Sequence, residues 1–437
     1  MVARTAARLH ILPPSPERTV DLSVPALLKR AQSAGTTLLC LAACTACAPP
    51  APADIMVTHV NIVDVERGLL LADRTIAVRA GRIERIDSGG PAKRRARVVL
   101  DGTSRYVLPG LWDMHVHVGD DERTLGRLLG WGIVGVRDMG SDLDEMLAVR
   151  ARQLARPHLG PRVFFGGPAL RGARDSADTG LAVVRSPEDG RRTVALLAGQ
   201  DVDFIKVHEG LTGDAWYAIA AAARARGLPL TGHVPAGLGP EQLADSGLRS
   251  IEHLEFLANR CLVLFDSAQQ AGDAAPPPGC GPSQVAAGLA HLHQDRVWLD
   301  PTIGSFRVFA PRQWPAILTG FSRLLPQIRH VGLRMLAGTD LGSAGIVPGE
   351  SLHDELALLV RAGIPAAEAL RGATVYPAEF LAIGDSLGAV RAGYAADVLI
   401  LDGNPLVDIR NTRRVAAVIR AGVLRDSLAL AGLRGQP

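Results

Sequence analysis

Val107-Leu108-Pro109-Gly110-Leu111-Trp112-Asp113-Met114-His115-Val116-His117 is the stretch from which the fold can be read. Pro-Gly breaks the chain, and a short, mostly apolar run follows, with the length and texture of a strand covered on both faces. Side chains two apart on a strand share a face, so His115 and His117 converge on one point, with Asp113 on the same side beneath them. Two imidazoles held this way suit chelation of a cation. The sequence carries its own contrast in His291 and His293, also two apart but in a run with helical texture. There 3.6 residues per turn swing the side chains about 200° apart, and that pair reads as surface or structural.

Outward from this strand, β-rich runs at 110–117, 133–138, 162–166, 204–208, 230–234, 250–254, 297–301 and 335–340 alternate with Ala- and Leu-rich helical patterns. Such alternation marks a parallel sheet built from βα units. Eight of them predict an α/β fold, a closed (β/α)8 TIM barrel over residues 109–383, with functional groups at the C-terminal ends of the strands. Polar residues stand at those ends: Lys206 in Ile205-Lys206-Val207-His208, His233 in Gly232-His233-Val234-Pro235, His253 in Ile251-Glu252-His253, and Asp340 in Ala337-Gly338-Thr339-Asp340. A lone histidine of this kind is usually a satisfied core or surface residue. With His115 and His117 there are six groups, in order, on one rim, which chance placement does not supply.

Short alternating stretches run from Ile55 to Val107, among them Thr75-Ile76-Ala77-Val78-Arg79, a turn at Ala80-Gly81-Arg82, then Ile83-Glu84-Arg85-Ile86. These are hairpin signals. The texture returns in Ala396–Leu401 and Val415–Arg420, so residues 54–108 and 384–430 are expected to form one small β-sandwich from both ends of the chain.

The whole chain has 437 residues, 47% hydrophobic and 21% charged, with 47 glycines and 29 prolines, which allows a large core and excludes disordered, collagen-like and coiled-coil classes. Lys+Arg 47 against Asp+Glu 44 leaves a formal charge of +3, and aromatics are only 4%. Neither an electrostatic footprint nor a stacking surface for nucleic acid is present; the expected partner is a small-molecule substrate.

Near the amino end, Lys29-Arg30 precedes an uncharged, largely apolar stretch from Ala31 to Ala43, too short to span a membrane. This predicts a signal peptide, with residues 1–53 as leader and tether. Leu41-Ala42-Ala43-Cys44 resembles the lipobox of bacterial lipoproteins, which implies lipidation of Cys44, and Thr45 after it implies retention on the periplasmic side of the outer membrane. The membrane is then touched only through this anchor. Translation start near Val24 or Leu27 fits the length of the leader. Ala46-Cys47-Ala48 also fits an ordinary cleavage site, which leaves a soluble exported protein as the alternative; a buried helix of a cytoplasmic protein is another.

The ordered motifs, from Pro-Gly-Leu-x-Asp-x-His-x-His through to Gly393-Tyr394-Ala395-Ala396-Asp397-Val398, resemble the amidohydrolase superfamily over roughly residues 55–425. The similarity is to its imidazolonepropionase-like branch, which includes Xaa-Pro and other dipeptidases. The resemblance implies two divalent ions, usually zinc. His115, His117 and Asp340 would hold the more buried ion, His233 and His253 the more exposed one, and Lys206 would bridge them as an N-carboxylated carbamate. It implies hydrolysis of a carbon–nitrogen bond by a water shared between the ions, with Asp340 as proton shuttle and His253 counted with it among the catalytic residues. An amide in a dipeptide, N-acyl amino acid or lactam is the expected substrate; an ester, or a non-catalytic ligand-binding lipoprotein, is the alternative.

One departure stands out: His208 occupies a position where many dipeptidase-like relatives have tyrosine, and it shares strand parity with Lys206. It faces either the site or solvent. Gly167 to Asp175 is expected as a βα loop bordering the pocket, so Arg171 or Arg174 is a candidate to fork a substrate carboxylate, as is Arg307. His353 is expected to orient a ligand or substrate, or to cap a helix. Export permits a disulfide between Cys261 and Cys280; two free thiols are the alternative.

Overall fold

Ala80 and Gly81 both take positive φ, +47° and +72°, the conformation that a two-residue hairpin turn requires. The chain is described from a computed structural model covering residues 52–89, 95–173, 181–235, 238–254 and 282–435. Arg174, Cys44, Cys261, Cys280 and residues 1–51 lie outside the described residues, and Ala53, expected at the end of the tether, opens the first strand.

The amino-terminal strands are β1 (Ala53–Asp64), β2 (Leu69–Arg79), β3 (Arg82–Ser88), β4 (Ala96–Asp101) and β5 (Tyr106–Pro109). Then come β6 (Leu111–Val116), β7 (Ile133–Asp138), β8 (Arg162–Phe165), β9 (Ala169–Gly172), β10 (Leu181–Val184), β11 (Ile205–Val207), β12 (Leu230–Gly232), β13 (Leu248–Glu252) and β14 (Trp298–Asp300). The chain closes with β15 (Val398–Leu401), β16 (Val415–Arg420) and β17 (Val423–Asp426).

Both ends of the chain share one eight-stranded sheet in the order β17-β16-β15-β5-β1-β2-β3, with β4 parallel to β1. The seam between the termini is antiparallel, Leu108 opposite Leu399 and Val107 opposite Ile400. This sheet has its own core, in which Val57, Val60, Ile76 and Val78 from the front of the chain meet Val398 and Ile419 from the back.

The remaining strands, with their intervening helices, make a TIM-barrel-like α/β fold. Helix starts follow the sequence locally: Asp121, Asp142, Ser186 and Thr212 each accept backbone N–H groups of the first turn. The parallel strands form a three-stranded sheet, β6-β7-β8, and a six-stranded one, β10-β9-β11-β12-β13-β14. Among the described residues these ladders do not trace the expected ring of eight. Residues 335–340, the expected eighth strand, make single bonds instead of a ladder: Leu336 N–H to Leu299 O (2.7 Å), Met114 N–H to Ala337 O (2.9 Å) and Asp340 N–H to His115 O (2.8 Å). Gly338 and the left-handed Asp340 (φ +63°) break its regularity.

The segment after β8 also departs from expectation. Ala169–Gly172 is not a loop but β9, parallel to β10 and touching β11 at Leu170 and Val207. Four residues after Gly166-Gly167-Pro168 show no alternation, so only tertiary pairing reveals the strand. Asp203 N–H donates to Phe165 O (2.9 Å) and His208 N–H to Leu170 O (2.7 Å), so β8 and β9 lie along one line beside the Lys206 strand.

Candidate metal centre

β6 ends in the two histidines, and their side chains do share a face. His115 Nε2 and His117 Nε2 each lie 3.4 Å from Asp340 Oδ1, and one donor atom from each residue falls within 4.8 Å of the others. His115 is fully buried, and its Nε2 has no hydrogen-bond partner among the described residues. Buried imidazole nitrogen and carboxylate oxygen at such spacing are a donor set for a divalent cation.

A chain of rings continues from this group. The His115 and His253 centroids are 4.4 Å apart, His253 and His233 4.8 Å, and His233 and His208 4.2 Å. Lys206, on β11 and 1% exposed, adjoins them. Gly232 makes room for the approach: its φ is +143°, and any Cβ there would run into the Val207 carbonyl.

The backbone around the site is strained. Asp340 (φ +63°), His253 (φ +62°), Leu254 (φ +52°) and Thr302 (φ +41°) are all left-handed non-glycine residues. Each such conformation costs on the order of 1–3 kcal/mol and persists where surrounding contacts over-determine it. Asp113 supplies part of that constraint, accepting from Thr339 N–H (3.0 Å) and Thr339 Oγ1–H (2.7 Å) directly before Asp340.

Beneath the histidines lies a buried polar network that sequence reasoning missed. Glu252 Oε2 is 3.1 Å from His115 Nδ1. Arg137, fully buried, donates to Glu252 (2.8 Å), to Ser250 Oγ (2.9 Å) and to the Met114 carbonyl (2.6 Å), and lies 3.4 Å from Asp300. Thr302 Oγ1 is 2.8 Å from His253 Nδ1. The available signal was a charged pair, Arg137-Asp138, closing a strand whose residues are all buried, and a glutamate directly before a rim histidine.

Burial, then the Lys206 charge, push His115 and His233 well below the usual imidazole range; burial chiefly pushes His253 to about 3. These rings are neutral at physiological pH, with lone pairs available for coordination. Burial raises Asp340, but the His117 hydrogen bond and the nearby His253, His117 and Lys206 outweigh it and hold the carboxyl below its ordinary value. At Asp113 burial outweighs the hydrogen bonds from Thr339 and His115 and lifts the carboxyl to about 7.

Of the candidate substrate residues, His208 is half-buried with its ring against His233. Arg171 is buried on β9, two strands from His233 across β11. Arg307 is exposed on the helix Ile303–Phe309, which follows β14. His353 is not at the site: Nε2 faces the Trp131 carbonyl and Nδ1 faces Thr412 Oγ1, both at 3.0 Å. It ties the helix Glu350–Arg361 to the approach to β7, because a fully buried imidazole takes the polar partners nearest to it. His291 and His293 lie on the helix Pro282–Gln294, where His291 pairs with Asp245.

Known proteins are similar to this chain in sequence or in fold. An uncharacterized protein of Mycobacterium tuberculosis is 28% identical over 341 residues, 70% of this chain and 82% of that one. A Xaa-Pro dipeptidase solved with methionine in its active site superposes with a TM-score of 0.71 at 21% identity, covering 85% of this chain and 99% of that one. A prolidase complexed with N-methylphosphonate-L-proline gives 0.66 at 22% identity, covering 85% and 99%. The model of the amidohydrolase family matches residues 106–425, from the strand before the paired histidines to the last strands of the terminal sheet. The chain therefore belongs to the amidohydrolase family, and is a metal-dependent hydrolase of carbon–nitrogen bonds.

Proposed function

We propose that this enzyme hydrolyses the amide bond of a dipeptide, N-acyl amino acid or lactam at a centre of two divalent ions. His115, His117 and Asp340 would hold one ion, His233 and His253 the other, with Lys206 between them as a carbamate; zinc suits these nitrogen and oxygen donors. The observation that carries the reading is Asp340, whose Oδ1 stands 3.4 Å from both first-strand histidines. When bound, two such ions lower the pKa of water to supply a nucleophile at neutral pH and polarise the scissile carbonyl.

The chain's own residues do the rest. Asp340, ionised and anchored through Thr339 to Asp113, takes the proton from the attacking water and passes it to the leaving amine. Carbamate formation needs the neutral amine of Lys206, and burial disfavours the protonated form. His208 lies at the open end of the ring chain, where it meets the substrate, and Arg171 or Arg307 pairs with a substrate carboxylate. The likeness to a Xaa-Pro dipeptidase and a prolidase supports an amino-acid amide as substrate class.

The closed eight-stranded barrel and the two-ended sandwich belong to the same reading, supported by single bonds across the seams and by the separate core of the terminal sheet. Export with a lipid anchor at Cys44 and a Cys261–Cys280 bridge rest on sequence alone.

The test is a mass-spectrometric panel of dipeptides, N-acyl amino acids, lactams and esters, run with protein loaded with zinc and bicarbonate. Cleavage of one amide class is the expected result. Turnover of esters alone, or of nothing on the panel, overturns the reading.

A further inference from the structure

Three arginines stand where the chain enters three neighbouring lines of the barrel, at the end opposite the metal centre. Arg249 is the second residue of β13, Arg296 precedes β14, and Arg334 precedes the segment 335–340. Together they line a cavity of about 630 Å³ whose wall includes Trp298 and Glu379.

Their charges are not balanced. Arg334 is paired with Glu379 and stacked on Trp298, 5.1 Å from the ring centroid. Arg249 and Arg296 have no carboxylate within ion-pair distance among the described residues. The Arg249 guanidinium reaches only the Arg296 carbonyl, at 3.5 Å, the outer limit of a hydrogen bond. Arg249 is half-buried, and burial together with the Arg296 charge disfavours its protonated form. Arg249, half-buried, and Arg296, exposed, thus bring two guanidinium groups without a carboxylate partner to one cavity. A guanidinium fork matches phosphate oxygens in pairs, and two of them neutralise one dianion.

We propose that this cavity is a second ligand site, which binds a small phosphate-type dianion such as a phosphomonoester. The volume exceeds that of bare phosphate, and Trp298 offers an apolar wall to the organic part of such a ligand. The site lies away from the amide chemistry, so its occupancy is read through stability.

The test uses the full metal-loaded chain and inorganic phosphate as probe, with chloride at matched ionic strength as control. The melting temperature of the wild type is expected to rise saturably with phosphate, as ligand linkage requires. The Arg249→Gln/Arg296→Gln variant is expected to lose that rise while keeping its turnover, which also separates this site from any phosphate bound at the metal centre. If the double variant does not fold, Arg296→Glu replaces it, an exposed position where charge reversal is expected to abolish the response. An equal response in wild type and variant, or no response beyond chloride in the wild type, overturns the proposal.

Discussion

His115 Nδ1 lies 3.1 Å from Glu252 Oε2, so the carboxylate fixes the ring with its other nitrogen turned toward Asp340. Groups that orient a ligating histidine in this way typically contribute 10–100-fold in metal affinity. Glu252→Gln removes the charge and preserves the shape. Competition against a chromogenic chelator is expected to show metal affinity falling by about that factor. Unchanged affinity contradicts the role given to Glu252.

Asp340→Asn separates binding from chemistry. The amide retains an oxygen donor toward the histidine pair, but it cannot accept a proton. Turnover is expected to fall by about 10²–10⁴-fold, while elemental analysis finds much of the metal retained. Wild-type turnover in this variant would remove Asp340 from proton transfer.

Gly338 permits the contact between the Asp340 segment and the buried network. A Cβ there would sit 2.5 Å from Asp300 Oδ2 and 2.7 Å from the His115 Cβ. Gly338→Ala is expected to cost about 1–3 kcal/mol by overpacking, seen as an earlier urea unfolding midpoint, with metal affinity reduced alongside. A neutral substitution would show that this packing is loose.

His353 supplies a pH test away from the metal ligands. Burial holds it at about 3, against an ordinary value of 6.5. The native ring stays neutral while the unfolded one takes up a proton below 6.5, so its contribution is complete above that pH and is lost on acidification toward 3. The slope is about 1.4 kcal/mol per pH unit. His353→Gln is expected to be less stable than wild type at pH 8 and to lose stability less steeply on acidification. Parallel pH profiles in urea unfolding would reject this.

What the sequence made legible was periodic. His115 and His117 share a face because a strand repeats every two residues, and the contrast at His291 and His293 follows from helix geometry. Single residues at strand ends, such as His233 and His253, were readable through their order along the chain. The short strands β9 and β10 were not, because a four-residue segment carries too little pattern. Nor was the contact of Arg137 with Glu252 and Asp300, since residues on three strands of two sheets are brought together only by tertiary packing. His353 misled because a histidine in a charged helical stretch looks alike whether it faces a pocket or the core.

The pairing of β5 with β15 sets an order of events in folding. Nearly the whole barrel lies between these strands along the chain, so during synthesis β5 is made long before its partner exists. Until the last segment emerges, an apolar strand edge stays open, and such edges are where chains stick to one another. The terminal sheet is thus a closure step with high contact order. Truncation before β15 would leave the barrel sequence intact and expose the hydrophobic edge of β5 to the solvent and to other nascent chains.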